Sequence, residues 1–318
     1  MAQNSIDSPC VTFQFYNMNR FKIWVAAARL RTLPLSLSGI IVGNALALNA
    51  PEFSTTLFLF SLLTAICFQI ISNFANDYGD GVKGTDNEAR VGPKRVLQQG
   101  LLTPESLKKG IIILSLISLI IALTLILLAF GFSASVPVLI FIILAVAAVA
   151  AAIKYTVGGN AYGYRGLGDL FVFIFFGGVS VLGSYFLQLK TLTTQSLLFA
   201  VVIGLLSVAV LNLNNMRDRE NDLAVGKNTL VVLMGAKVAK FYHAFLILFS
   251  LVLLGFAIES HQLLSIRSLP FLAFIPLMIH FFKVMFQRVP EKLDPELKRL
   301  ALSVFLLSLL VFITQYLL

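Results

Sequence analysis

What most constrains this chain is the recurrence of uncharged apolar runs along its whole length. Runs of about 17 to 25 such residues are long enough to cross the hydrocarbon layer of a bilayer as a helix. They recur near residues 24–48, 56–74, 110–130, 136–153, 168–187, 196–213, 241–258, 269–285 and 300–318. The runs are continuously apolar and do not alternate, so the backbone amides must be satisfied within helices and not across the strands of a barrel. The expected fold is an all-α integral membrane protein with about nine transmembrane helices in a bundle. Composition excludes the alternative of several soluble domains: 58% of the 318 residues are hydrophobic and 12% are charged, against about a quarter charged in soluble domains. Residues 1–19 are read as a tail and 20–318 as a single domain.

Charge orients the bundle. With the N-terminus placed in the cytoplasm, 22 of the 24 lysines and arginines fall on the cytoplasmic side, and only Lys190 and Arg267 fall opposite. This is the positive-inside pattern of a multi-pass protein, here assigned to the cell inner (cytoplasmic) membrane. The formal net charge of +9 follows from that topology and requires no nucleic-acid partner. The first nineteen residues lack a basic stretch followed by a short apolar one, so no cleaved signal peptide is expected. Cys10 and Cys67 are too few for a disulfide framework, and His243, His261 and His280 stand far apart without metal-ligand spacing.

Two polar segments interrupt the apolar pattern, at about 77–107 and 217–240. The first opens with SNFANDYGDGVKGTD and the second with LNLNNMRDRENDLAVGKNT, so an amide-rich helix end leads into spaced aspartates twice, as a degenerate internal repeat. On continuing helices Asn73, Asp77 and Asp80 share one face, and so do Asn214, Asp218 and Asp222. Carboxylates gathered at a membrane surface repel one another and are costly there. A bound cation between them removes the conflict. Ligands of Asp and Asn without His or Cys suit Mg2+, which is held by a few carboxylates together with substrate phosphates. Asn76 and Asp86 lie beside these groups, and Arg90, Lys94, Arg95, Arg217 and Lys227 supply cations for a substrate with several anionic oxygens.

The segments NDYGDGVKGTDNEARVGPKR and NNMRDRENDLAVGKNTLVVLMG resemble the two aspartate motifs of the UbiA superfamily of intramembrane aromatic prenyltransferases. RLRTLPLSLSGIIVGNALA, GYRGLGDLFVFIFFGGVSVLGSYFLQ and GKNTLVVLMG extend the resemblance over nearly the whole chain, most closely to the branch that acts on 1,4-dihydroxy-2-naphthoate in menaquinone biosynthesis. The first motif departs from the broader NDxxDxxxD pattern: Gly84 takes the last acid position and Asp86 follows two residues later, the form of the naphthoate branch. The resemblance implies a helical bundle around an active-site cavity and transfer of a polyprenyl group from its diphosphate to an aromatic ring, with loss of carbon dioxide from the naphthoate.

Asp77, Asp80, Asp218 and Asp222, with Asn73, would then hold Mg2+ at the diphosphate, and Lys94, Arg95 and Lys227 would add positive charge where negative charge develops. Tyr155, Tyr164 and the Phe-rich fifth run are candidate walls for an allylic cation, and Asp169 is a candidate contact for the aromatic acceptor. Other acceptors, such as 4-hydroxybenzoate or a porphyrin, remain alternatives within the family. A multi-span transporter is the rival from another class. Transporter ion sites, however, lie near the bilayer midplane on broken helices, whereas these acids fall at helix ends.

Overall fold

The structure, a computed structural model, describes residues 19–258 and 265–318. Cys10, His261 and the tail up to residue 18 lie outside the described residues. Nine helical segments among the described residues are long and apolar enough to cross a membrane: α1 (Arg20–Ala45), α2 (Thr55–Val82), α3 (Pro104–Phe130), α4 (Val136–Lys154), α5 (Gly168–Leu189), α6 (Thr194–Ala224), α7 (Leu230–Ala257), α8 (Ile266–Phe286) and α9 (Pro290–Leu317). Large apolar side chains such as Leu116, Ile120, Leu139 and Phe256 stand exposed on the outside of the bundle, where lipid is the medium that accepts them.

α6 runs through the middle, packed by α5, α7 and α9, and supplies much of the larger core through Ile203, Leu206 and Leu213. A second core joins α2, α3 and α4 to the first turns of α1 through Ile71, Phe74, Leu107 and Val149. With no water to drive apolar helices together, close approach must come from small residues. Gly39 and Gly43 of α1 provide it. A Cβ at Gly39 would collide with Ser180 and one at Gly43 with Ser184, both on α5. On its other side α5 meets α6 at Gly177 and Gly204. Residues Phe173–Gly183 of α5 are wound as a π-helix over this contact.

α1 is broken. Its first piece (Arg20–Ala28) is capped by Asn19, whose side chain accepts from the amide of Phe21, and it ends at Arg29 in the left-handed region (φ 49°). A second piece follows (Leu33–Ala45), with Pro34 in the first turn, where a missing amide costs no helical hydrogen bond. The break lets Arg29 turn its guanidinium onto Asp77 of α2.

The two polar segments are more helical than hydropathy implied. α2 continues through Asp77 and Asp80 to Val82, and α6 through Asp218 and Asp222 to Ala224, leaving only residues 225–229 between α6 and α7. The acids remain on helices because each meets a cation, as described below. His243 and His280, distant in sequence, meet inside the bundle with their Nε2 atoms 3.0 Å apart.

Candidate active site at two aspartate helix ends

α2 and α6 terminate in the same way. Gly84 adopts φ 72° and Gly226 φ 71°, a left-handed conformation that a residue with a Cβ disfavours. At the first end the amides of Gly84 and Thr85 donate to the carbonyls of Gly81 and Asp80 (3.2 and 2.9 Å). At the second the amides of Gly226 and Lys227 donate to those of Leu223 and Asp222 (3.2 and 2.8 Å). Both are Schellman ends, with Asp80 and Asp222 in the same position of the motif. The internal repeat is therefore real, and its register sets Asn73 against Asn215, Asn76 against Asp218 and Asp80 against Asp222.

The two ends meet. Lys227 Nζ lies 3.7 Å from Asp80 Oδ2 and 3.9 Å from Asp222 Oδ1, bridging the halves. Asn221 Nδ2 donates to the Thr85 carbonyl at 3.1 Å, and the amide of Asn228 donates to the Tyr164 carbonyl at 3.2 Å. A carboxylate at a helix C-terminus opposes the negative end of the helix dipole, so Asp80 and Asp222 are held against local electrostatics. Buried cations counter the penalty on the first motif. Arg95 places Nη1 3.1 Å from Asp80 Oδ2 and Nε 3.6 Å from Asp77 and 3.3 Å from Asp86, and it also donates to the Asn76 carbonyl at 2.9 Å. Arg90 Nε adds an ion pair to Asp86 at 3.0 Å. Burial pushes the Asp86 carboxyl above the usual carboxylate range, an effect that Arg95 offsets in part.

On the second motif Arg217 grips Asp218 with two hydrogen bonds (Nε to Oδ1 2.9 Å, Nη2 to Oδ2 2.6 Å) and reaches Asp294 of α9 at 2.5 Å. Its Nη2 also donates to Asn214 at 2.9 Å. Two of the expected residues stand differently. Asn73 spends its amide on structure, donating to the Ala28 carbonyl (2.8 Å) and to Thr32 (3.0 Å), so it ties α2 to the break in α1. Lys94 stays outside the cluster, exposed beside an exposed Glu88.

Aromatic side chains line one side. The Tyr164 hydroxyl donates to Asp80 Oδ1 at 2.8 Å and lies 2.6 Å from Thr85 Oγ1, while Lys83 sits over its ring at 3.9 Å. Burial and the adjacent Asp80 push the phenol upward, so it remains a donor. Tyr155 is raised well above its ordinary value by burial and then by Asp80, Tyr162, Asp169 and Asp222, which places it within the field of both motifs. From Tyr155 an aromatic row continues through Tyr162 (centroids 5.4 Å) and Phe171 (4.0 Å) to Phe175 (6.3 Å) on α5. Asp169 is buried at the start of α5 with Tyr242 of α7 against it, and its Oδ2 has no protein hydrogen-bond partner.

Residues 36–310 match the UbiA prenyltransferase family. The chain belongs to that family. The protein is thus a prenyltransferase, and its similarity to individual members runs end to end. It is 41% identical over 307 residues to the 1,4-dihydroxy-2-naphthoate octaprenyltransferase of Escherichia coli (strain K12), covering 94% of this chain and 98% of that one. It is 39% identical over 295 residues to the Haemophilus influenzae enzyme of the same name, covering 92% and 94%. The fold is that of a UbiA homologue from Archaeoglobus fulgidus bound to GPP and Mg2+ (TM-score 0.62, 15% identity, 90% of this chain and 99% of that one).

Whether this UbiA prenyltransferase suits a divalent cation is answered by its own donors. Oδ1 of buried Asn221 lacks a hydrogen-bond partner, the oxygens of buried Asp86 accept no directed hydrogen bond and are met only by the Arg90 and Arg95 ion pairs, and every ligating group of the two motifs is an oxygen. Among the described residues no three His, Cys, Asp or Glu side chains are grouped closely enough to hold an ion alone. Both facts fit Mg2+, which takes one or two carboxylates and completes its shell with water and substrate phosphate.

The sequence reading missed Arg29, Thr85, Asn221 and Tyr242 as members of the site. Arg29 had a signal, being an arginine within an apolar span. The other three had none, because they act across helices that only the fold brings together.

Proposed function

We propose that this prenyltransferase transfers a polyprenyl group from polyprenyl diphosphate to 1,4-dihydroxy-2-naphthoate, releasing diphosphate and carbon dioxide and giving demethylmenaquinol. Its site opens on the cytoplasmic side of the cell inner membrane. End-to-end similarity to two naphthoate octaprenyltransferases carries the reading, and the joining of both aspartate ends through Lys227 supports it.

In the reaction the bond between the first prenyl carbon and the diphosphate oxygen breaks, the ring carbon of the naphthoate that bears the carboxylate forms a new bond to that carbon, and its bond to the carboxylate then breaks, returning the electron pair to the ring as carbon dioxide leaves. Asp77, Asp80, Asp218 and Asp222 would hold Mg2+ beside the diphosphate, and the metal would supply positive charge for the leaving group. Arg95 and Lys227 hold fixed positive charge at the same place. Because both are almost fully buried, that charge is poorly screened and needs no reorganisation as the leaving group forms. The faces of Tyr155, Tyr162 and Phe171 offer electron density to an allylic cation, and their apolar surroundings exclude water that would capture it. Asp169, with Tyr242 against it, would orient the acceptor.

The test is incubation of purified protein with one polyprenyl diphosphate, Mg2+ and, in turn, 1,4-dihydroxy-2-naphthoate, 4-hydroxybenzoate and a porphyrin, followed by mass analysis. Prenylated, decarboxylated naphthoate is expected. Product from another acceptor alone would overturn the assignment. Turnover in detergent, with no sealed compartment, also excludes the transporter reading.

The division of roles gives a second expected result. Arg95→Ala and Lys227→Ala should raise the apparent KM for the polyprenyl donor by about ten-fold or more while changing that for the naphthoate little, since losing a charge-assisted contact weakens the anionic partner selectively. Asp169→Asn should do the reverse, and Tyr155→Ala, which removes a ring facing the allylic cation, should lower kcat with little change in the donor's KM. Steady-state kinetics with each substrate varied in turn decides it, and a selective acceptor effect from Arg95→Ala contradicts the placement of the donor.

A further inference from the structure

Away from the aspartate ends, the end of α8 and the start of α9 enclose a groove of about 480 Å³, lined by Lys283, Phe286, Gln287, Lys292, Glu296 and Arg299. None of these residues belongs to the two aspartate motifs. Three cations face one carboxylate, and that carboxylate is committed. Glu296 is buried. Its Oε2 lies 3.1 Å from His280 Nδ1, and its Oε1 accepts from Arg299 and lies 3.7 Å from Lys283 Nζ. His280 in turn rests on His243. Fixed from behind, Glu296 orients Arg299 and Lys283 but cannot neutralise all three cations, and Lys283 remains about half exposed (54%).

The place of the groove adds the second constraint. It lies where two helices long and apolar enough to cross a membrane end, at Phe286 and Pro290, and spans of that length would leave the hydrocarbon layer there. Phe282 and Phe286 are exposed beside it (55% and 81%) and offer apolar surface to acyl chains. A ligand that satisfies both features carries a phosphate anion and an apolar tail. A zwitterionic headgroup brings its own ammonium into a pocket that already has excess positive charge, and is disfavoured. Basic pockets between helices at the membrane surface recognise anionic headgroups on these grounds.

We propose that this groove binds the headgroup of an anionic phospholipid, with its phosphate among Lys283, Lys292 and Arg299. The turn that forms its rim also carries Asp294, which holds Arg217 at 2.5 Å, so an occupied groove braces the support of the second aspartate motif.

The test is native mass spectrometry of the full chain in detergent, titrated with phosphatidylglycerol or phosphatidylcholine, with thermal melting measured on the same samples. Lys283→Gln/Lys292→Gln removes two charges and leaves the Glu296–Arg299 and Glu296–His280 contacts in place. Lys237→Gln removes an exposed charge elsewhere and serves as control. Wild type and control should prefer phosphatidylglycerol and melt at higher temperature in its presence. The double variant should lose roughly five-fold in that preference per lysine removed, and with it the thermal shift. Equal binding of both lipids by the wild type would overturn the proposal, as would an undiminished preference in the double variant. Equal thermal protection by inorganic phosphate at the same concentration would also overturn it, because the site would then read a free anion and not a lipid.

Discussion

Asp80→Ala and Asp222→Ala should each lower prenyl transfer by about 100-fold or more, the usual consequence of losing a group that stabilises charge in the transition state. Asp77→Ala and Asp218→Ala should follow them, while Glu88→Ala and Glu220→Ala remain close to wild type. The contrast rests on placement and not on charge. Asp80 is almost completely buried (2% exposed) between Arg95, Lys227 and Tyr164, whereas Glu88 and Glu220 are exposed. Removing Asp80 also leaves Arg95 and Lys227 buried without their shared counter-charge, a destabilising change. Asp80→Asn is the cleaner probe, because its amide oxygen still accepts from Tyr164 and its shape is unchanged. Turnover measured beside the thermal midpoint of each variant separates lost chemistry from lost fold. Equal loss at all six acids would show a response to total loop charge and would remove the argument for a site.

The legible and illegible parts of this protein divide along physical lines. Helix number and the polar segments were readable because lipid imposes one rule, an apolar run of fixed length, on every span. Asp77, Asp80, Asp218 and Asp222 stand out in the sequence because ionisable groups beside a membrane need a reason to be there, and the structure buries all four. Where the helices end was not readable, since hydropathy falls at Asn73 while the helix runs on to Val82, its acids matched by Arg29 and Arg95 from other parts of the chain. The register of the internal repeat also escaped the spacing argument. It is set by Gly84 and Gly226 in left-handed turns, a backbone property that the aspartate pattern does not display. Asn73 has a second duty that its residue type does not announce: its Nδ2 ties α2 to Ala28 and Thr32, while its Oδ1, the atom that would face a cation, accepts from Gln69. The groove at Lys283 depends on two helices meeting, so no single segment announces it.

Chelation with EDTA should abolish turnover, and added Mg2+ should restore it. Compactly grouped carboxylates would bind an ion tightly in the free protein, yet no such group of three exists among the described residues, and the acids are already paired with Arg29, Arg95, Arg217 and Lys227. The free protein should therefore bind Mg2+ weakly, and the ion should tighten only when diphosphate oxygens complete its octahedral shell. Binding of each partner then strengthens the other by the same factor, as thermodynamic linkage requires. Isothermal titration with inorganic diphosphate, in the presence and absence of Mg2+, measures that factor without any turnover, and about ten-fold or more is expected. Asp80→Asn and Asp222→Asn should reduce the coupling while leaving the metal-independent attraction of Arg95 and Lys227 for diphosphate in place. Full turnover in metal-free buffer would refute the metal's role, and diphosphate binding that ignores Mg2+ would move the ion away from the aspartate ends.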